Sequence, residues 1–169
     1  MPMSRLLLIV CGLLLAQGCA TYKLGLPEAP PFRTLFIPAV ANHSFAPQMQ
    51  GLLTNSLRES FARGRPVRLA GSRQGADATL EIKVTGYKRQ MATAQQQDTG
   101  QPASFYLDLQ AEGTLVNNQT GKVYFKNRPF SGRVQSFGSD KLVERERQNL
   151  HLLARNLSRE IQQEVTSAW

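Results

Sequence analysis

The chain has 169 residues, of which 41% are hydrophobic, 19% charged and 8% aromatic; this composition excludes a fibre or a disordered tail, and the length excludes a multidomain enzyme, which leaves one globular domain. Lys and Arg number 20 against 12 Asp and Glu, for a formal net charge of +8, so the surface favours anionic partners without saying which.

Met1 to Arg5 is a short lead with one positive charge, and Leu6 to Ala16 is an apolar run of 11 residues, too short to cross a bilayer as a helix. This is the pattern of a signal peptide. The run ends in Ala16-Gln17-Gly18-Cys19, a small residue directly before a cysteine, and it resembles the lipobox of bacterial lipoproteins, whose cysteine is acylated and becomes the mature N-terminus. Cys11 lies in the segment to be removed, so the exported chain keeps Cys19 as its one thiol and can form no internal disulfide. Two readings of Cys19 stand: an acylated N-terminus, or an incidental thiol after an ordinary secretory cleavage. Acyl chains account better for a lone thiol there, since each buried methylene adds about 0.8 kcal/mol and several chains hold a protein on a membrane. The lipoprotein resemblance, with Ala20 rather than Asp after the cysteine, implies the outer membrane. Loss of residues 1–18 would remove Arg5 and no acid, taking the net charge from +8 to +7. The expected organisation is therefore a signal peptide over 1–18, an acylated N-terminus and Pro-rich linker over 19–31, and a single domain over 32–169.

Thr34 to Val40 is a short β-branched and aromatic run, a strand whose Pro38 belongs at a sheet edge or bulge. Pro47 to Arg63 places Met49, Leu53, Leu57 and Phe61 at four-residue spacing, with Gly64 as a stop, and predicts an amphipathic helix. Val67 to Ala70 is a candidate short strand, and Gly71 to Asp77 a turn-rich connection. Ala78, Leu80, Ile82 and Val84 alternate with polar residues, as do Phe105, Leu107, Leu109, Ala111 and Leu115; both segments are strands with one wet face. Between them Gln90 to Pro102 is polar, lacks apolar period and reads as a mobile hairpin loop. Asn117 to Gly121 is turn chemistry leading into a strand over Lys122 to Val134, whose apolar parity changes at Pro129. Ser139 or Asp140 caps a closing helix to about Thr166, with Leu150, Leu153, Leu157, Ile161 and Val165 on one face. The expected fold is α+β, a two-layer sandwich with both helices on one face of a mixed sheet of four to five strands and the other face polar.

The lipobox, Tyr22-Lys23-Leu24-Gly25, the strand from Thr34 to Asn42, a helix rich in Leu and Arg, Ala76-Asp77-Ala78 entering a strand, and the closing amphipathic helix together resemble the lipopolysaccharide-assembly lipoprotein family, LptE. The resemblance implies a non-enzymatic outer-membrane lipoprotein that sits inside a β-barrel translocon subunit, LptD, supports its assembly, plugs it, and contacts lipopolysaccharide. It places the domain on the periplasmic side or within the barrel lumen. A polar sheet face suits a wet lumen. The other reading is an envelope accessory lipoprotein docking on a peptidoglycan synthase or a transporter complex through the same face.

No acid occurs between Glu112 and Asp140, whereas Lys122, Lys126, Arg128 and Arg133 lie on the last strand and its turn. With Lys88 and Arg89 from the preceding hairpin, these are the candidate contacts for anionic lipid. The competing reading is a set of solvated charges that keep the domain soluble. The two histidines, His43 and His151, have no carboxylate or thiol at ligand spacing, so neither metal nor triad chemistry is expected. Asp108 and Glu112 fall on one face of one strand at about 13 Å, beyond a glycosidase pair. No enzyme activity, cofactor or metal is expected, and export removes the chain from nucleic acid.

Overall fold

A computed structural model describes residues 30–63, 67–95, 98–137 and 142–167. The signal peptide, Cys19 and the linker to Ala29 lie outside the described residues, as do Gly64, Ser139 and Asp140. The elements run β1 (Thr34–Phe36), β2 (Ala41–Asn42), α1 (Met49–Arg63), β3 (Arg68–Leu69), β4 (Ala78–Gln95), β5 (Asp98–Asn117), β6 (Val123–Phe137) and α2 (Leu142–Ser167). They form the expected α+β sandwich, with two helices on one face of a mixed sheet. Among the described residues that sheet has six strands in the order β3-β1-β4-β5-β6, and β2 pairs with β4 beyond β1. β1 is parallel to β3 and β4, and β2 to β4, while β4, β5 and β6 form an antiparallel meander.

The apolar run from Thr34 to Val40 is not one strand but the flank of two. Pro38 has no N–H to give a ladder, so β1 stops at Phe36 and β2 resumes at Ala41. The backbone freed between them is taken up by α1: the Arg58 guanidinium donates to the Ile37 carbonyl at 2.9 and 3.3 Å, and Val40 N–H donates to Thr54 Oγ1 at 3.0 Å. The break thereby fixes where the first helix sits on the sheet.

Asp77 closes one end of the sandwich. Its carboxylate accepts the backbone N–H groups of Arg33 and Thr34 at 2.9 Å each, and its own N–H donates to Thr34 Oγ1 at 2.9 Å. These bonds hold its ionised form, chiefly the one from Arg33 N–H, and draw its pKa below the ordinary carboxylate value. Asn118 extends the knot to the turn after β5, donating to the Ala76 carbonyl at 2.8 Å and accepting from Thr79 Oγ1 at 2.8 Å. Ala76-Asp77-Ala78 is thus the joint between β1, β4 and the β5–β6 turn.

β4 and β5 pair from Ala78↔Asn117 to Gln95↔Asp98. The expected loop over Gln90 to Pro102 is therefore a strand ribbon, with residues 96 and 97 alone outside the described set. Polar, aperiodic sequence hid it, because it leaves no apolar alternation to read. A register shift between Val84 and Gly86 turns Tyr87 and Arg89 to the helix-covered face, opposite Leu109 and Leu107. In β6 the parity change predicted at Pro129 falls earlier: the shift lies between Phe125 and Arg128, where Asn127 takes a φ of 51°. Gly113 is required nearby by close approach, since a Cβ there would stand 2.7 Å from the Phe130 ring and 3.0 Å from Ile82.

Both helices bury the predicted stripes: Met49, Leu53, Leu57 and Phe61 on α1, and Leu150, Leu153, Leu157, Ile161 and Val165 on α2. Where they touch, buried Ser60 and Ser158 hydroxyls pair at 3.1 Å and Gln162 donates to the Ser60 carbonyl at 2.9 Å. Polar groups dry enough to need partners have found each other.

Candidate functional site

The helices leave the opposite face of β4, β5 and β6 open. Strand alternation puts Glu81, Lys83 and Lys88 of β4, Tyr106, Asp108 and Glu112 of β5, and Ser131, Arg133 and Gln135 of β6 on it. Its charges pair sideways across the strands. Lys83 meets Glu112 at 3.0 Å, Arg73 pairs with Glu81, and Arg133 grips Asp108 with two bonds at 2.5 and 3.1 Å. That fork, first through its hydrogen bond and then through the carboxylate charge, raises the Arg133 pKa further. The Arg133 guanidinium also lies 5.0 Å from the Tyr106 ring centre.

The six basic residues singled out in the sequence do not form one patch. Lys88 and Arg133 are brought together, in register on either side of Asp108. Arg89 faces the helices, over the Phe105 ring at 5.4 Å and 3.7 Å from Glu146. Arg128 is on that side too, at the other end of the sheet, 2.7 Å from Glu164 and over the Phe125 ring at 5.7 Å. Lys122 sits over Tyr124 at 5.6 Å, and Lys126 is exposed just before the Asn127 bulge. Lys88 and Lys126 are exposed and have no carboxylate within ion-pair distance among the described residues.

Sequence reasoning missed the neutralising partners. The absence of acids between Glu112 and Asp140 is a fact of chain order, whereas Asp108, Glu146 and Glu164 arrive through register and helix packing. Four aromatic rings also lie beneath these cations. Without the Val84/Gly86 shift, a period-2 reading of β4 carried on from Val84 puts Lys88 on the covered face and Arg89 on the open one, the reverse of their places.

Glu146 is the busiest carboxylate on the covered side. Tyr87 donates its hydroxyl to Glu146 Oε1 at 2.5 Å while Arg89 approaches Oε2. Burial first, and then the bond and charge of Glu146, push the Tyr87 phenol well above its usual value. This latch holds the first turns of α2 against the sheet.

The same fold occurs in solved bacterial proteins, two of them named as lipoproteins. A lipoprotein B from Nitrosomonas europaea matches with a TM-score of 0.59 at 11% identity, over 89% of this chain and 92% of that one. A minor lipoprotein from Acinetobacter baumannii matches with a TM-score of 0.53 at 14% identity, over 80% and 93%. A hypothetical protein from Chlamydia trachomatis matches with a TM-score of 0.55 at 10% identity, over 79% and 95%. Among curated proteins no sequence matches. Residues 32–167 match the LptE lipopolysaccharide-assembly model, and the chain belongs to that family of non-enzymatic lipoproteins.

Proposed function

We propose that the protein is an outer-membrane lipoprotein, cleaved before Cys19 and acylated on it, that supports assembly of an LptD-like β-barrel lipopolysaccharide translocon and plugs it. Membership of the LptE family over the whole folded region carries this reading. The open face supports it physically: a lumen is polar, and a face whose charges are paired laterally can enter one without bringing a block of unpaired charge. In the lumen, or facing the periplasm beside it, Lys88 and Arg133 offer lipopolysaccharide phosphates two cations around one carboxylate. Arg89, Lys122, Lys126 and Arg128 flank that path at the sheet margins as further anionic-lipid contacts.

Co-purification from detergent tests the reading. Stoichiometric recovery with a large heat-modifiable barrel is expected, and recovery with an inner-membrane or murein enzyme in its place overturns it. Incorporation of labelled palmitate, abolished by Cys19→Ala, tests the anchor. For the lipid contact, Lys88→Glu combined with Arg133→Glu should weaken lipopolysaccharide binding in a salt-sensitive manner, with thermal stability nearly unchanged.

A further inference from the structure

The sheet has two outer edges, and they differ. β6 is guarded along its length: Pro129 has no N–H, the bulge at Asn127 interrupts the ladder, and Lys126, Arg128 and Arg133 stand on the strand. Such features keep a strand from pairing with another chain. β4 is different. Its outer side is occupied by β1 at Ala78 and Thr79 and by β2 at Lys83 and Val84, and the last rung is His43 N–H to the Val84 carbonyl at 2.9 Å. From Gly86 to Met91 its pairing with β5 is unbroken, and among the described residues no strand covers the other side. That length accepts one ordinary strand.

Two residues past the last rung stands Phe45, fully exposed. Its loop is built rather than loose: Asn42 Oδ1 accepts Ser44 N–H at 3.0 Å and Ser44 Oγ at 2.7 Å, Asn42 Nδ2 donates to the Ala46 carbonyl at 2.9 Å, and Ser44 Oγ accepts Ala46 N–H at 3.2 Å. A large aromatic held in the open by an ordered loop costs little entropy to dock. We propose that the outer edge of β4 from Gly86 to Gln90 is a strand-addition site for an extended, acid-bearing segment of a partner polypeptide, continuing the path of β2, with Phe45 as its side-chain anchor. The backbone rungs specify an extended chain. Charge specifies its acidity, because among the described residues Lys88 is exposed with no ion-pair partner, and Arg89 is half-exposed with its carboxylate partner 3.7 Å away. A second copy pairing two-fold about Lys88 would set that lysine directly against its own equivalent, with no acid from Gly86 to Gln90 to offset it, which disfavours self-association.

The inference deepens the proposed function, since the barrel subunit would supply the segment, and two arms keep the two apart. In the full chain complexed with its barrel, amides from Gly86 to Gln90 should exchange with solvent at least about tenfold more slowly than in the free chain, with Lys126 to Ser131 unchanged. Protection on β6 instead, or none on β4 in an intact complex, overturns the site and leaves the barrel partnership standing. In the second arm the synthetic peptide Thr-Glu-Val-Glu-Val-Thr is added to the full chain in detergent. Slowed exchange confined to the β4 edge is expected, weakened about tenfold by Phe45→Ala and weakened again by Lys88→Glu. Equal binding of a Lys-substituted peptide, or no effect of either substitution, overturns the proposal whether or not a barrel has been recovered.

Discussion

The two faces of the sheet use polar atoms for different ends. On the covered face they are few and each one fixes a position: Tyr87 and Arg89 on Glu146, Ser60 on Ser158, Arg58 on the Ile37 carbonyl. On the open face they are many and hold one another, as in Lys83 with Glu112 and Arg133 with Asp108. Water reaches the ion pairs of the second set, whereas the Ser60–Ser158 pair of the first is buried. Stability should therefore reside behind the sheet and in the knot at its end, while the open face stays free to be rewritten by a partner.

That contrast can be broken by measurement. The largest effect is expected behind the sheet, where Leu157 is fully buried and packs beside Gly132; Leu157→Ala should cost about 2–5 kcal/mol in denaturant unfolding. Next comes the knot. Asp77→Ala strands the N–H groups of Arg33 and Thr34 and should cost about 1–3 kcal/mol. Because folding lowers the Asp77 pKa, its contribution is fully present above the unfolded carboxylate value of about 3.9. It is lost as pH falls through the lower folded value, so wild type and variant should converge in strong acid.

Tyr87→Phe removes one bond to Glu146 and should cost about 1 kcal/mol near neutral pH. Here the sign reverses: folding raises the phenol pKa, so stability is intact below the unfolded value of about 10 and declines as pH rises towards the folded one. Absorbance titration of the wild type should show one tyrosine ionising only with unfolding. The smallest effect belongs to the open face, where Lys83→Ala should change stability by less than about 1 kcal/mol. A cost there equal to that of Leu157→Ala would abolish the distinction between the faces.

Much of the covered face was legible in the chain. Leucines at helical spacing and the alternation from Ala78 to Val84 are read directly, because a half-buried element must repeat its apolar residues at its own period. The open face was not, for two reasons. Its residues are polar whichever strand they pair with, and register alone decides that Lys88 and Arg133 flank Asp108. A one-residue slip at Val84/Gly86 then exchanges the faces of Lys88 and Arg89, sending Lys88 to the open side and Arg89 to the side of the helices. The division of Thr34 to Val40 into β1 and β2 was signalled by Pro38, but its consequence, a helix hung on the gap, depends on Arg58 and Thr54 from far along the chain. The importance of Asp77 was visible as a motif and its reason was not, since its N–H donors, Arg33 and Thr34, lie 44 and 43 residues earlier in the chain.

The Asp77 knot also gives the molecule a direction. Buried Phe32 stands next to Arg33, whose N–H donates to Asp77, and the β4–β5 ribbon runs away from that end, from Ala78↔Asn117 to Gln95↔Asp98. β5 alone has 20 residues, which at about 3.3 Å each makes a lever of roughly 60 Å. A fluorophore at Thr120, in the turn beside the knot, and a quencher at Gln90, well along the ribbon, would report a grip at either end separately.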